Sequence, residues 1–401
     1  MSKFLFVVQG EGRGHLTQAI SLFEILNQAG HQVVSVMVGM DDKHDLPLFF
    51  REKINVEINT FPAPSLVYGQ TKAVKVWDTI STHAKKIGKY RKSVQFLAQK
   101  VEEYQPDVIV NFYDMICGLY AQFYRPTIPI VCIGHQYLLL HQSFISLPNK
   151  HIDRFLLNLN TRLTSLNSTR KLALSFVQLP DDKAHNIAVT PPLIRDEVKK
   201  LTPTSKPFIL AYITHHKLSE DIINWHANHR DVEIHCFWNN KEFVDEWQFR
   251  ENLTFHQVNS DKFLRMMQEC SGLVCTAGFE SVCEAMYLGK PIMMVPVPNH
   301  IEQEINAWDG QRAGAGISDT EFNLSRFISY LPVHQNVSEN FKTWQSDTTR
   351  LFLKNLEELA QKEMEVYTLR KGGNTSIKSW WRAWKGGFLR GSQNLIGFKN
   401  L

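Results

Sequence analysis

Short apolar runs alternate with stretches of helical period along this chain, and that alternation predicts a parallel α/β protein. Residues 3–9 carry a continuous apolar run, Phe4 to Val8, as expected of a strand buried on both faces. A glycine-rich turn follows, with Gly10, Gly12 and Gly14. Leu16, Ala19, Ile20, Phe23 and Leu26 then recur near helical spacing, and Gly30 stops the predicted helix. Further strands are predicted at residues 32–38, 54–61, 107–111 and 128–133, each short and rich in Val or Ile.

Around residues 190–207 the pattern breaks into a proline- and lysine-rich stretch that reads as an interdomain connection. The alternation then restarts. Strands are predicted at 208–213, 232–238, 253–258, 272–275 and 292–296, and helices near 219–229, 261–270 and 279–288. A helix near 350–364 is expected to close the second half. The chain therefore divides into an α/β half at 1–195, a second at 196–364, and a basic, Trp-rich tail at 365–401. Its 401 residues suffice for two ordinary domains.

Charge sharpens this division. The net charge is +4, yet residues 370–401 hold seven basic side chains and no acid, so the remainder is net −3. That balance, with no binding motif, argues against nucleic acid as a partner. No apolar run approaches the ~20 residues that span a bilayer, and the start is too short for a secretory segment. The six cysteines form no regular framework, which suits reduced thiols and a cytoplasmic protein.

Candidate chemistry concentrates after the strand at 272–275. Gly278 turns the chain into a helix that Gly289 and Pro291 close. Such a helix start offers unpaired N–H groups and partial positive charge to a diphosphate. Glu280 and Glu284 share one helix face, and a carboxylate there can accept bonds from both ribose hydroxyls. Glu302 and Gln303 follow the next strand, on a loop or first helical turn, in reach of sugar hydroxyls.

The ordered set Ala277, Gly278, Phe279, Glu280, Ser281, Glu284, Gly289 and Pro291, then Glu302, Gln303, Asn306 and Ala307, resembles the donor-site signature of GT-B glycosyltransferases. The resemblance is to the group of UDP-sugar transferases and the lipid-linked N-acetylglucosaminyltransferase. It implies two Rossmann-like domains facing across a cleft. It also implies that Glu284 holds the nucleotide ribose, that Gly278, Phe279, Glu280 and Ser281 line the diphosphate, and that Gln303 contacts the donor sugar. Thr276 and Ala277 stand where plant members place a histidine before the glycine.

In the first half, His15 occupies the position that a dinucleotide fingerprint reserves for its third glycine, which argues against an oxidoreductase. Deprotonating a sugar hydroxyl needs a base near neutral pH, and a histidine at this strand end is the candidate. Relatives carry a similar loop ending in a proposed histidine base. An acid after a mid-domain strand would orient it, here Asp114, with Asn111 as the alternative register. Arg13 is a candidate contact for phosphate or an anionic acceptor, or a surface charge.

No metal is expected, since Asp41-Asp42 and Asp181-Asp182 lie in polar loops without further ligands. No cofactor beyond the nucleotide-sugar substrate is implied. The basic stretch 72–100 and the tail 376–399 are candidates for an anionic membrane surface or a lipid-linked acceptor. The expected function is transfer of a sugar from a nucleotide diphosphate sugar to a hydroxyl acceptor, inverting and metal-independent. A nucleotide-sugar epimerase and a non-catalytic sugar-nucleotide sensor are the alternatives.

Overall fold

The computed structural model describes residues 1–41, 45–64, 86–144, 151–240, 242–243 and 245–372, and of 151–152 and 362–372 the backbone alone. Two seven-stranded sheets form the framework. The first comprises β1 (Lys3–Gln9), β2 (Gln32–Met40), β3 (Ile58–Pro62), β4 (Val108–Phe112), β5 (Ile130–Gly134), β6 (Arg170–Leu174) and β7 (Ile187–Thr190). Their order is β3-β2-β1-β4-β5-β6-β7, all parallel.

The second comprises β8 (Phe208–Tyr212), β9 (Glu233–Trp238), β10 (Glu246–Arg250), β11 (Leu253–Gln257), β12 (Gly272–Cys275), β13 (Ile292–Met294) and β14 (Gly316–Ser318). Its order is β10-β11-β9-β8-β12-β13-β14, with only the edge strand β10 antiparallel. In each sheet the order reverses once, between β1 and β4 and between β8 and β12. Ligands of open α/β sheets bind at such switch points, beyond the strand C-termini.

The apolar periodicity accounts for the layers. Residues Phe4 to Val8 are fully buried, with alternate side chains entering different clusters. Phe4, Phe6 and Val8 join a core that continues through Leu193 and Ile194 to Phe279, Val282 and Cys283 of the second half. The two halves therefore share packed surface across the junction.

Sequence periodicity missed the short helix Leu48–Lys53 and placed β3 too early, because Ile54 begins the return loop instead. It also missed β6, β7 and β14, which are strands of three to five residues with little pattern to read.

The helix expected to close the second half does something else. Helices Ser338–Ser346 and Thr348–Gly372 return to the first sheet, the latter packing beside β4 and β7. Trp344 Nε1 donates to the Ser175 carbonyl at 3.0 Å, and Gln345 Nε2 to that of Pro192 at 3.1 Å. Arg170 pairs with Glu358 at 3.1 Å, while Phe352 and Leu356 are fully buried. Apolar period alone cannot say which sheet a helix covers.

Candidate functional site

β12 turns sharply into helix Phe279–Tyr287. Ala277 makes the turn with φ of +56°, a left-handed conformation rare for a residue with a Cβ. Asn306, itself buried, holds the turn by donating to the Ala277 carbonyl at 3.1 Å. Gly278 is the N-cap, and a Cβ there would meet only Ser281 Oγ, at 3.5 Å. The helix start is thus open toward the cleft. The Ser281 hydroxyl donates to the Gly278 carbonyl at 3.0 Å.

Glu284 lies one turn inside and is 2% exposed. Its two oxygens accept from Arg195 Nε at 2.6 Å and Nη2 at 2.7 Å. This bidentate pair ties the helix to the interdomain connection, where Arg195 also donates to Ser260 Oγ. Sequence reading missed Arg195 because nothing in the local pattern marks an arginine in a connection. Beside this pair, Pro192, Ile194, Phe279, Glu280 and Glu284 line a narrow space between the halves.

Glu280 crosses the cleft. Its Oε1 accepts from Gln18 Nε2 on helix Gly14–Gln28, and burial raises its carboxyl to about 7. Phe279 also faces the first half, stacking on the His135 ring at 4.1 Å. Glu302 Oε1 accepts from Gln136 Nε2 at 3.0 Å, a second bond between the halves. Gln303 does not point outward: its Oε1 accepts from its own loop, at Val297 N, 2.8 Å away. A second small opening, about 10 Å³, is lined by His135, Gln136, Glu302 and Asn306.

On the other side, β1 ends in the glycine turn. Gly10 N–H donates to the Gly39 carbonyl at 2.7 Å, and Gly12 adopts φ of +79° at an exposed bend. Arg13 lies over the Phe49 ring, 4.5 Å from its centre. His15 follows on the first turn of the helix. Its Nδ1 lies 3.2 Å from Gln18 Oε1, and its ring stacks on Tyr113 at 5.5 Å. Burial lowers the His15 pKa, opposed by the charge of Glu302.

The pairing expected of His15 with Asp114 is not made. Tyr113, at φ of +62°, turns the chain after β4 so that its ring, not the next carboxyl, meets His15. Asp114 instead caps helix Met115–Tyr124, accepting from Cys117 N at 3.2 Å, and its Oδ2 is buried without a hydrogen bond. Burial raises its carboxyl to about 7. Asn111 is structural too, donating to the Thr164 carbonyl at 2.7 Å and accepting from Asp114 N at 2.9 Å.

His135, at the end of β5, escaped sequence reading although it occupies the same kind of strand end as His15. It is 4% exposed, with Nδ1 against the Leu174 carbonyl at 2.8 Å and Nε2 3.7 Å from Asp309 Oδ2. Burial lowers its pKa to about 4.

Among the described residues, no His, Cys, Asp or Glu side chains are grouped in threes suited to a metal ion. Asp41 pairs with Lys86 at 2.9 Å, and Asp182 accepts from Gln142 N and His185. Asp42, residues 72–85 of the basic stretch and the tail 376–399 lie outside the described residues. Within 86–100, Tyr90, Val94 and Leu97 are buried while Lys89, Arg91 and Lys92 are exposed. No described helix is long and apolar enough to cross a membrane.

Two switch points facing each other across a cleft, with a helix N-terminus on one side and a histidine on the other, define a GT-B architecture. The family described as Glycosyl transferase family 1 matches residues 2–332, and the chain belongs to it: it is a glycosyltransferase. No curated protein sequence matches the chain. Among solved structures it is similar to Acinetobacter baumannii MurG, at 15% identity and TM-score 0.52, covering 89% of this chain and 100% of that one. It is also similar to the glycosyltransferase VinC, solved with dTDP, at 14% identity and TM-score 0.56, covering 90% and 100%. Phytolacca americana UGT2, solved with UDP-2fluoro-glucose and pterostilbene, shares 14% identity at TM-score 0.59, covering 91% and 100%.

Proposed function

We propose that the chain moves a sugar from a nucleotide diphosphate sugar, a UDP-sugar foremost, to a hydroxyl acceptor with inversion and without a metal. The observation that carries the donor half is the open N-terminus of helix Phe279–Tyr287 at the β8/β12 switch point, with Glu284 one turn inside. The diphosphate sits at Gly278 to Ser281, where the helix dipole presents its positive end. Glu284 takes the ribose, Glu302 faces the sugar, and Gln303, its Oε1 held by Val297 N, has only its NH2 to offer the sugar. The division at residues 195 and 196 separates the acceptor side from the donor side.

His15 is the base in this reading. Acceptor oxygen forms the new bond to the anomeric carbon as its proton passes to His15 Nε2. The anomeric C–O bond to the diphosphate breaks, and its electron pair leaves with the diphosphate. The helix N-terminus stabilises that charge, a role preorganised dipoles fill well. A lipid-linked or cell-envelope acceptor, cytoplasmic location and peripheral contact with an anionic membrane through 72–100 and 376–399 belong to the same proposal. Basic and aromatic composition supports them.

The closed cleft has a consequence for donor entry. Its openings have room for about one water at most, about 10 Å³ in the larger, against the ~300–1,000 Å³ of typical ligand pockets. The halves must part, releasing the Gln18–Glu280 and Gln136–Glu302 bonds, before a donor enters.

The test is a thermal-shift panel of nucleotides and nucleotide sugars on wild type and His15→Ala, with turnover of each responding donor. UDP or another nucleoside diphosphate should stabilise both proteins. Turnover should fall about 10²- to 10⁴-fold in the variant, the usual range for a general base. Unchanged turnover removes His15 from the reaction, and stabilisation by NAD(P) alone overturns the donor assignment.

A further inference from the structure

A histidine base must present an unprotonated nitrogen to the acceptor, so its tautomer matters as much as its position. We propose that Gln18 and Glu280 form a positioning relay that fixes His15 with its proton on Nδ1 and its Nε2 lone pair free. The inference rests on the reading of His15 as base.

The hydrogen-bond chemistry has one consistent solution. Ionised, as at pH 8, the Glu280 carboxylate only accepts, so the Gln18 group that faces it is its NH2. The amide is planar, and its carbonyl oxygen therefore faces the other way, 3.2 Å from His15 Nδ1. That oxygen also only accepts, so Nδ1 carries the hydrogen. Tyr113 stacks on the ring at an interplanar angle of 20° and fixes its plane. Free neutral imidazole favours the opposite tautomer, with hydrogen on Nε2, which offers no base there.

Glycine at position 14 belongs to the same device. A Cβ at Gly14 would lie 2.3 Å from Glu280 Oε2, so the carboxylate reaches Gln18 only because that side chain is missing. Gln18 is 2% exposed, which keeps water from competing for its amide. Because Glu280 belongs to the second half and His15 to the first, the relay exists only while the halves are together. The base is thus prepared by closure and relaxes when the cleft opens.

The experiment is two-bond 1H–15N correlation on the full chain labelled with 15N-histidine at pH 8, His15 being assigned by its loss in His15→Ala. Wild type should show the Nδ1–H pattern. Gln18→Ala should shift His15 toward Nε2–H, and Glu280→Gln should give averaged nitrogens, because two facing amides leave the flip undetermined. The double variant Gln18→Glu/Glu280→Gln reverses the polarity yet still presents a pure acceptor to Nδ1, so it should restore Nδ1–H.

The remaining histidine signals report that each variant is folded. An Nε2–H pattern in wild type, or no change in Gln18→Ala, overturns the relay. Turnover of UDP-glucose, the probe donor, should fall about tenfold or more in each single variant. If His15→Ala leaves turnover intact, the base assignment fails alone, and the tautomer spectra still decide the relay.

Discussion

Replacing Glu284 by Gln probes the donor site at its most buried acid. Arg195 bonds each Glu284 oxygen once, at 2.6 and 2.7 Å. A carboxylate oxygen has two lone pairs, so each keeps one for a ribose hydroxyl, and Arg195 need not leave when a nucleotide binds. Hydrogen bonds to a charged group contribute ~1.5–3 kcal/mol, against ~0.5–1.5 for neutral partners. Glutamine retains one neutral carbonyl, and its NH2 replaces an oxygen that Arg195 bonds, so donor meets donor there. The loss on nucleotide binding should be about 1–3 kcal/mol, which is about 5- to 150-fold in Kd.

Calorimetric titration with UDP and with 2′-deoxy-UDP isolates the ribose contact. Wild type should prefer UDP, and Glu284→Gln should erase most of that preference. Equal weakening of both nucleotides, in a variant that unfolds at the wild-type midpoint, refutes the ribose contact. The comparison cancels general damage, because such damage lowers both affinities together.

Three further outcomes follow from the geometry. Arg195→Met strands a buried carboxylate and should cost about 3–5 kcal/mol in urea unfolding, most of it recovered by adding Glu284→Met; a cost under about 1 kcal/mol contradicts the pair's burial. Asp114, held near 7 rather than 3.8, binds its proton more tightly folded than unfolded. Its contribution is therefore full below about pH 4 and lost as pH rises toward 7. Asp114→Asn keeps the cap without the charge, so it should be the more stable protein at pH 8, and lower stability there contradicts the assignment. Gly118→Ala would set a Cβ 1.9 Å from the Leu163 carbonyl oxygen and should cost about 1–3 kcal/mol, read by thermal unfolding.

The sequence was legible where pattern and packing agree. Continuous apolar runs such as residues 4–8 mark buried parallel strands directly, and Gly278 marks the turn into helix Phe279–Tyr287. The partners of those residues were not legible. Gln18 is three residues from His15 and so on the same helix face, a readable signal, but its second partner lies 262 residues away. Arg195 meets Glu284 only because the junction packs against helix Phe279–Tyr287. Asp114 was misplaced for a local reason, the left-handed Tyr113, which no periodicity announces.

The return of the last helices to the first sheet changes what motions the two halves have. The chain crosses between them twice, once near residues 191–195 and once ahead of Ser338–Ser346, which locks through Trp344 and Gln345. A body joined at one point swivels freely, whereas one joined at two turns only about the line through both. The cleft should therefore open along a single hinge axis, bringing Glu280 back to the same register with Gln18 at every closure. Precision in the site would then come from the linkage as much as from the groups that meet there.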